Sequence, residues 1–414
     1  MKPLFGNTAG IDVHKKMLAV IVRRHVDGKT VYEKRKFGTT RGEIEHLAAW
    51  LKQQEVVDVV MESTAQYWRP VWYGLEPHFR LPLSHPLKTK APRGRKTDFR
   101  DAQRWADRWT AGDLEESFVP EPEQRSWRWL TRTRLDFKVK IGVVRNQIEG
   151  LLEQGGIKLA AVVSDLFGVS GWAMLKLISQ GETDAAKIAA EARGTLRKKK
   201  AALAEALAGR LDPVYLLLLR QYLEQIETVQ EHMAQIHKAL GEAMKPPHQT
   251  LERLCRVPGM DLAAAQEILA EIGPNVDPFA SAGKLASWVG VCPGNKESAG
   301  ISYSHRAAKG NRYLRRLFSR IAWAAVRTKG TFFESMFYRL LPKIESQGAA
   351  WAVAHRIVRL IWLMLKTGVE YIEKGPTPMN PRTLVRKLRR LAKQFEAHGL
   401  DPKSFLPEGV SAQA

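Results

Sequence analysis

Four acidic residues of this chain stand where a metal-dependent nucleic-acid enzyme needs carboxylates: Asp12, Glu62, Asp98 and Asp101. Asp12 follows the apolar start of Gly10-Ile11-Asp12-Val13, and Glu62 closes Val56-Val57-Asp58-Val59-Val60-Met61-Glu62. Asp98 and Asp101, in Thr97-Asp98-Phe99-Arg100-Asp101-Ala102, are spaced i,i+3, so both carboxylates lie on one face of a helix. Acids at two strand ends and on one helix can converge although they are remote in sequence. Magnesium takes oxygen ligands and keeps several waters, so one or two carboxylates per ion plus substrate phosphates suffice. Two such ions about 3.5–4 Å apart can flank a scissile phosphate, one beside the nucleophile and one beside the leaving oxygen. Any one of these acids alone reads as an ordinary surface acid. Together they read as a catalytic Mg2+ site.

A second constellation lies far downstream: Pro293-Gly294-Asn295-Lys296-Glu297-Ser298-Ala299-Gly300, then Lys309-Gly310-Asn311-Arg312-Tyr313-Leu314-Arg315-Arg316. No acid occurs between Ser298 and Glu334, whereas Arg306, Lys309, Arg312, Arg315, Arg316, Arg320, Arg327 and Lys329 are all basic. A serine in a glycine-flanked loop beside such a helix could attack a phosphodiester, the arginines neutralising the developing charge. It reads equally as a phosphate-binding serine in a nucleic-acid groove, or as a plain loop residue; Ser302 and Ser304 are neighbouring hydroxyls. Val257-Pro258-Gly259-Met260 is similar to the hairpin of a helix-hairpin-helix, but Asp261 stands where that motif has a second glycine, which favours a structural turn. His14 and Lys15 could contact a phosphate or simply end a solvated strand. Trp105, Trp109, Trp127 and Trp129 lie near basic residues and could stack on bases; core packing is the simpler reading.

The elements that must position these groups can be read from periodicity. Residues 8–83 are α/β: β-branched runs at Ile11–Val13, Leu18–Val22 and Val56–Met61 alternate with a helix over Arg41–Gln54, capped by Thr40. A basic loop, Lys88–Lys96, contains Pro92 and Gly94, which discourage regular structure, and brings Arg95 and Lys96 next to the acidic helix as nucleic-acid contacts. That helix is expected to run to about Ala111. From Gln124 to about Met244 the pattern is helical. Leu219, Tyr222, Ile226, Val229, Met233, Ile236 and Leu240 recur at steps of three and four, the seam of a coiled coil or of a long helical hairpin. Asp212-Pro213 starts that helix. Pro246-Pro247 marks a boundary, followed by an amphipathic helix to Ile272, a turn at Gly273-Pro274, a Gly/Ser-containing loop at Gly290–Gly300 and several helices to about Lys374. The tail carries a basic helix (Arg382, Arg386, Lys387, Arg389, Arg390, Lys393) and ends in a disordered segment. The domain organisation is therefore 1–123, an acid-bearing metal domain; 124–245, a helical segment; 246–375, a domain with the serine loop; and 376–414, a basic helix and tail. The fold class is α/β followed by all-α.

With 65 Lys+Arg against 43 Asp+Glu, the net charge of +22 points to a polyanionic partner, nucleic acid before anionic membrane. Two cysteines, Cys255 and Cys292, exclude a disulfide framework or a cysteine-rich zinc site and fit a reducing compartment. The first residues lack the apolar core of a secretory signal. The apolar stretch Trp351–Val369 contains His355, Arg356, Arg359 and Lys366, so it reads as a buried or partner-facing helix with no membrane partner. A cytoplasmic location follows.

At these motifs the chain resembles a known family, the DEDD-type insertion-sequence transposases of the one-hundred-and-ten family, whose relatives include pilin-gene invertases and bridge-RNA-guided recombinases. The resemblance rests on Gly10-Ile11-Asp12-Val13-His14-Lys15, on Met61-Glu62-Ser63-Thr64 with Tyr67-Trp68, and on Lys96-Thr97-Asp98-Phe99-Arg100-Asp101-Ala102. Downstream it rests on Val257-Pro258-Gly259, Glu297-Ser298-Ala299-Gly300 and Lys309-Gly310-Asn311-Arg312-Tyr313-Leu314-Arg315. It runs in the family's order over residues 10 to about 330. It implies a RuvC-like, RNase H-like mixed-sheet domain, a helical coiled-coil insertion and a mostly helical transposase domain. The family's four acids fall on Asp12, Glu62, Asp98 and Asp101, and its nucleophilic serine on Ser298. The resemblance further implies a composite site in which the acids and Mg2+ of one subunit meet the serine of another. The serine displaces a DNA 3′-OH to leave a 5′-phosphoserine link, and strand exchange and religation follow. A bacterial, nucleoid-associated recombinase acting on donor and target DNA is implied, with a structured noncoding guide RNA and a homo-oligomer, dimer or tetramer, formed through the helical segment. Ala299 stands where some members have glycine. The other readings are a metal-dependent junction-resolving nuclease, a site-specific DNA invertase, and a nucleic-acid-binding protein whose acids are structural.

Overall fold

The computed structural model describes residues 6–63, 65–84, 97–294, 296–298, 301–304, 307, 309–376 and 381–398, with backbone alone for 296–298, 301–304, 381–384, 386–388 and 391. The chain divides into two compact units, Met1–Pro120 and Glu121–Ala414.

In the first unit, strands β1 (Asn7–Val13), β2 (Leu18–Val26), β3 (Lys29–Phe37), β4 (Val56–Glu62) and β5 (Leu83–Ser84) form one sheet in the order β3-β2-β1-β4-β5. β1, β2 and β3 are antiparallel neighbours, while β4 runs parallel to β1 and β5 parallel to β4. This mixed sheet fits an RNase H-like domain. The expected strands are present, and β3 is an addition. Its sequence, Lys-Thr-Val-Tyr-Glu-Lys-Arg-Lys-Phe, is too charged to stand out as a strand, yet charge and lysine are what protect a sheet edge from further pairing.

Side-chain alternation assigns the two sheet faces. Ala9, Ile11 and Val13 point into a core shared with α1 (Arg41–Gln53) and α2 (Trp68–Leu75). Thr40 takes the N-cap position of α1 with extended backbone, but its side chain makes no capping bond. Instead Glu43 reaches back, its Oε2 accepting from the Gly38 N–H at 2.9 Å. The opposite face is covered by α3 (Asp98–Thr110), the expected acidic helix, whose Trp105 and Trp109 pack on Val60. α3 also sits directly on β1: a Cβ at Gly10 would lie 1.9 Å from the Ala102 carbonyl oxygen, so only glycine admits the helix there.

The second unit is almost wholly helical. α4 (Pro122–Gln154) leads through the short helices α5 (Leu159–Val162), α6 (Val169–Ser179), α7 (Ala185–Ala190) and α8 (Lys200–Ala206) to α9 (Pro213–Ala243). α4 and α9 pair antiparallel. Ile148, Leu151 and Leu152 share a cluster with Leu219, Leu223 and Ile226, while near the other end the Trp127 indole donates to the Ala243 carbonyl at 3.1 Å. The seven-residue stripe on α9 is real, but its ends are covered within the same chain: Leu219, Ile226 and Leu240 are buried, and Tyr222, Val229, Met233 and Ile236 are half-buried.

Beyond it come α10 (His248–Cys255), α11 (Leu262–Ile272), α12 (Ala282–Val289), the hairpin β6 (Lys296–Ser298) and β7 (Ile301–Ser304), then α13 (Arg312–Arg327), α14 (Phe332–Leu340), α15 (Ser346–Thr367) and α16 (Pro381–Ala397). α11, expected to be amphipathic, is buried on nearly all sides because it lies among α4, α10 and α13. α15 is the one helix among the described residues long and apolar enough to cross a membrane, and Ala349, Val353, Ile357 and Ile361 are core residues of this unit. The basic helix of the tail is α16; the expected disordered end lies outside the described residues.

Gly10→Ala should therefore destabilise the first unit by about 1–3 kcal/mol through forced displacement of α3. Gly42→Ala, on α1 where an added Cβ meets nothing within 4 Å, should be neutral or stabilising by roughly 0.5–1 kcal/mol. Urea denaturation followed by tryptophan fluorescence measures both.

Candidate functional site

Asp12 is the penultimate residue of β1, and Gly10, Asp12 and the following His14 continue on the sheet face opposite Ile11 and Val13. That is the face α3 covers. Because Gly10 lets the helix backbone touch the strand, the first turn of α3 stands beside the end of β1. The His14 Nε2 lies 3.2 Å from Asp12 Oδ2 and 3.4 Å from Asp98 Oδ1. One ligand atom from each of Asp12, His14 and Asp98 lies within 4.8 Å of the others. Asp101, one turn on, pairs with Arg104, Nη1 to Oδ1 3.1 Å. Glu62 reaches the same end of the sheet: β4 runs beside β1 with Ile11 opposite Met61, and Glu62 shares the face of Val60, which packs under α3. The structure thus gathers Asp12, Asp98 and Asp101, and sets Glu62 on the neighbouring strand.

The electrostatics of the cluster are unfavourable without a cation. Burial pushes the Asp12 carboxyl above its ordinary value; His14 pulls it down, and the negative charges of Asp101 and Asp98 push it further up. A divalent ion at Asp12 and Asp98 would remove that penalty, so the residues present fit a metal of this kind.

In the second unit, Ser298 ends β6 and pairs with Ile301 across the hairpin, so the expected Gly/Ser loop contains a two-stranded ribbon. The hydroxyl of Ser298 lies outside the described residues, as do Arg95, Lys96 and Arg306. The following helix is well defined. Asn311 N-caps α13, its Oδ1 accepting from Tyr313 N–H at 3.0 Å and Leu314 N–H at 3.2 Å. Its Nδ2 donates to Glu271 Oε2 at 2.9 Å. Glu271, buried at the end of α11, also binds Arg132 of α4 in two bonds, 2.7 and 2.9 Å. Arg312, Arg316 and Arg320 form an exposed stripe at steps of four, and Lys309 and Lys15 are exposed as well. Arg315 instead lies over Trp351, 5.2 Å from its ring centroid.

Asp261 does not face a phosphate as a hairpin glycine would. It N-caps α11, its carboxylate accepting from Ala264 N–H at 2.6 Å. Gly259, at φ +80°, packs against the α13 backbone, where a Cβ would come within 2.5 Å of Ala325 N. The turn is structural. Trp105, Trp109 and Trp127 are core residues, whereas Trp129 is 59% exposed.

Sequence reasoning left the roles of three residues here unread. His14, read as a phosphate contact or a strand end, was legible as the next position on the Gly10–Asp12 face. Asn311, quoted only within the basic motif, was legible as an asparagine immediately before a helix. Glu271 gave no signal, since burial on all sides of α11 arises only from tertiary packing.

Residues 9–156 match the family model described as a transposase of the DEDD, IS110 type, and residues 251–336 match the model described as the transposase IS116/IS110/IS902 family. The first match contains all four acids and the second contains Ser298, Lys309 and the arginines of α13. No curated protein matches the chain.

Two outcomes follow from this geometry. A carboxyl whose folded pKa lies above its unfolded value destabilises the fold once the pH exceeds the unfolded value. Asp12→Asn should accordingly raise the melting temperature of metal-free protein at pH 7, and the gain should vanish as the pH falls below the ordinary value of 3.8. Glu271→Ala leaves Arg132 and Asn311 without their shared partner and should cost about 3–5 kcal/mol in denaturant titration.

Proposed function

The chain belongs to the IS116/IS110/IS902 family of transposases, and on that premise we propose that it cuts and rejoins the strands of an insertion sequence through Ser298, assisted by Asp12, Glu62, Asp98 and Asp101. The observation that carries this reading is the seating of α3 on Gly10, which sets the acids of its first turn beside Asp12.

The Ser298 hydroxyl gives up its proton and its oxygen attacks phosphorus. The bond from phosphorus to the 3′ oxygen breaks, that oxygen takes a proton as a free 3′-OH, and the 5′-phosphate stays on the serine. Attack by the 3′-OH of the exchanged strand reverses these bonds and restores the serine. Arg312, Arg316 and Arg320 line the phosphates along the exposed face of α13, with Lys309 at its entry. Arg315, held against Trp351, supports them. Lys15, Arg95, Lys96 and Arg306 are further phosphate contacts. Asp12 and Asp98, with Glu62 and Asp101 alongside, hold a divalent cation such as Mg2+. When bound, that cation supplies Lewis-acid polarisation of the phosphoryl oxygens.

A structured noncoding RNA guides the enzyme to donor and target DNA, and the net charge of +22 supports polyanionic partners. The helical hairpin carries self-association, as a dimer or tetramer: Val139 and Val143 on α4 are 50% and 52% exposed, and Met233 on α9 is only half-buried. The site of action is the bacterial nucleoid in the cytoplasm.

Full-length protein with its copurifying RNA, cognate DNA and Mg2+ should yield a covalent protein–DNA adduct on denaturing gels. Ser298→Ala should reduce adduct and recombinant product by about three orders of magnitude or more, and Asp12→Ala should abolish recombination. An adduct that survives Ser298→Ala removes the nucleophile assignment. Free hydrolysed ends with no protein attached would mark a junction-resolving nuclease. Sequencing of the copurifying nucleic acid should return one structured RNA species, and heterogeneous RNA would remove the guide.

A further inference from the structure

We propose that His14 is itself a ligand of the ion held by Asp12 and Asp98, and that the resulting nitrogen–oxygen donor set makes this site prefer Mn2+ or a similar transition ion to Mg2+. The proposal rests on the metal-site reading above and goes beyond it, since four carboxylates alone would give a hard, all-oxygen site.

Three observations support it. First, His14 is placed by the strand itself. Along Gly10, Asp12 and His14 the side chains alternate onto the α3 face, while Ile11 and Val13 enter the opposite core. The chain turns immediately afterwards, with the His14 N–H donating to the Met17 carbonyl at 3.0 Å, so the ring sits at the rim of the site and not along a free loop. Second, the Nε2 atom lies between the two carboxylates, at 3.2 Å from Asp12 and 3.4 Å from Asp98. An ion with bonds of about 2.1 Å holds its donors within about 4.2 Å of one another. The three donor atoms already lie within 4.8 Å, so side-chain adjustments suffice to bring them onto one ion. Third, among the described residues Asp12 and Asp98 are the carboxylates grouped with the imidazole, while Asp101 pairs with Arg104 one turn on.

The chemistry of the donors then sets the preference. Mg2+ dehydrates reluctantly and favours oxygen, so it gains little from an imidazole. Mn2+ accepts the carboxylates as Mg2+ does, and affinity for a given nitrogen–oxygen site rises along the first-row series from Mn2+ toward Fe2+, Ni2+ and Zn2+, which imidazole suits. Loss of even an outer partner of a metal ligand typically weakens binding 10–100-fold, so loss of His14 should weaken Mn2+ binding by about tenfold or more. Mg2+ binding should change much less, and the Mn2+ over Mg2+ preference should narrow accordingly.

The test uses full-length protein and the metal alone. Mn2+ is titrated and the free ion is read from its EPR signal, while pulsed EPR of the bound ion reports coupling to 14N. Wild type is compared with His14→Gln, His14→Ser and Asp12→Asn, each first shown to be folded by circular dichroism. The expected result is a 14N coupling in wild type that is absent from both His14 variants, weaker Mn2+ binding in those variants by about tenfold or more, and easier displacement of Mn2+ by Mg2+. Mn2+ binding that needs Asp12 but shows no 14N coupling and no change in the His14 variants would overturn the role of His14 and leave the carboxylate site intact. Mn2+ binding that is absent, or indifferent to Asp12→Asn, would overturn both.

Discussion

The close approach of one helix to one strand carries the N-terminal unit. The carbonyl of Ala102 occupies space that any side chain at position 10 would need. α3 is then pinned further along its length: Trp105 and Trp109 press on Val60, and Asp107 accepts from Tyr32 at 2.7 Å and from Arg23 at 3.2 Å. With its far end fixed to β2 and β3, the helix has no freedom to slide, and its first turn stays at the end of β1. The geometry of the acidic cluster is thus set by packing some distance from it. The orientation also matters electrostatically, because the N-terminal end of a helix favours negative charge and α3 presents that end to Asp98 and Asp101.

The second unit solves the same positioning problem with buried charge. Glu271 ties α4 to the start of α13 through Arg132 and Asn311, and Arg134, fully buried, binds the α11 carbonyl of Ala263 and the Gln266 side chain. Such pairs contribute little net stability against a well-packed apolar alternative, but they tolerate few alternative arrangements. Their effect is to fix where the basic stripe of α13 begins relative to the long helical hairpin. Asn311 is the hinge of that arrangement, since one amide both caps the helix and meets Glu271.

What could be read from the chain divides along physical lines. The strands at Ile11–Val13, Leu18–Val22 and Val56–Met61, the acidic helix and the α9 stripe are local patterns, and the structure contains them all. β3 escaped because its function as a charged edge suppresses the apolar alternation by which strands are recognised. The hairpin β6–β7 escaped because glycine and serine mask pairing in so short a ribbon. The stripe on α9 was legible, but its partner was not: a heptad-like seam states that something covers it, and α4 of the same chain supplies cover at both ends. At the site, the four acids were visible by type and spacing. Their mutual distances depend on Gly10, whose meaning emerges only once α3 is seen against it.

Within a chain of net charge +22, the first unit holds a local knot of carboxylates. Basic surface attracts phosphate over distances of about a Debye length, roughly 8 Å at physiological salt. Asp12, Asp98 and Asp101 repel it at contact, and burial of Asp12 sharpens that repulsion by weakening solvent screening. A cation on the acids would reverse the sign of that interaction. A phosphate and a cation would therefore favour each other's binding at this cluster. The cluster carries an electrostatic cost that a bound cation would offset, and the seating of α3 on Gly10 is what holds the acids together against it.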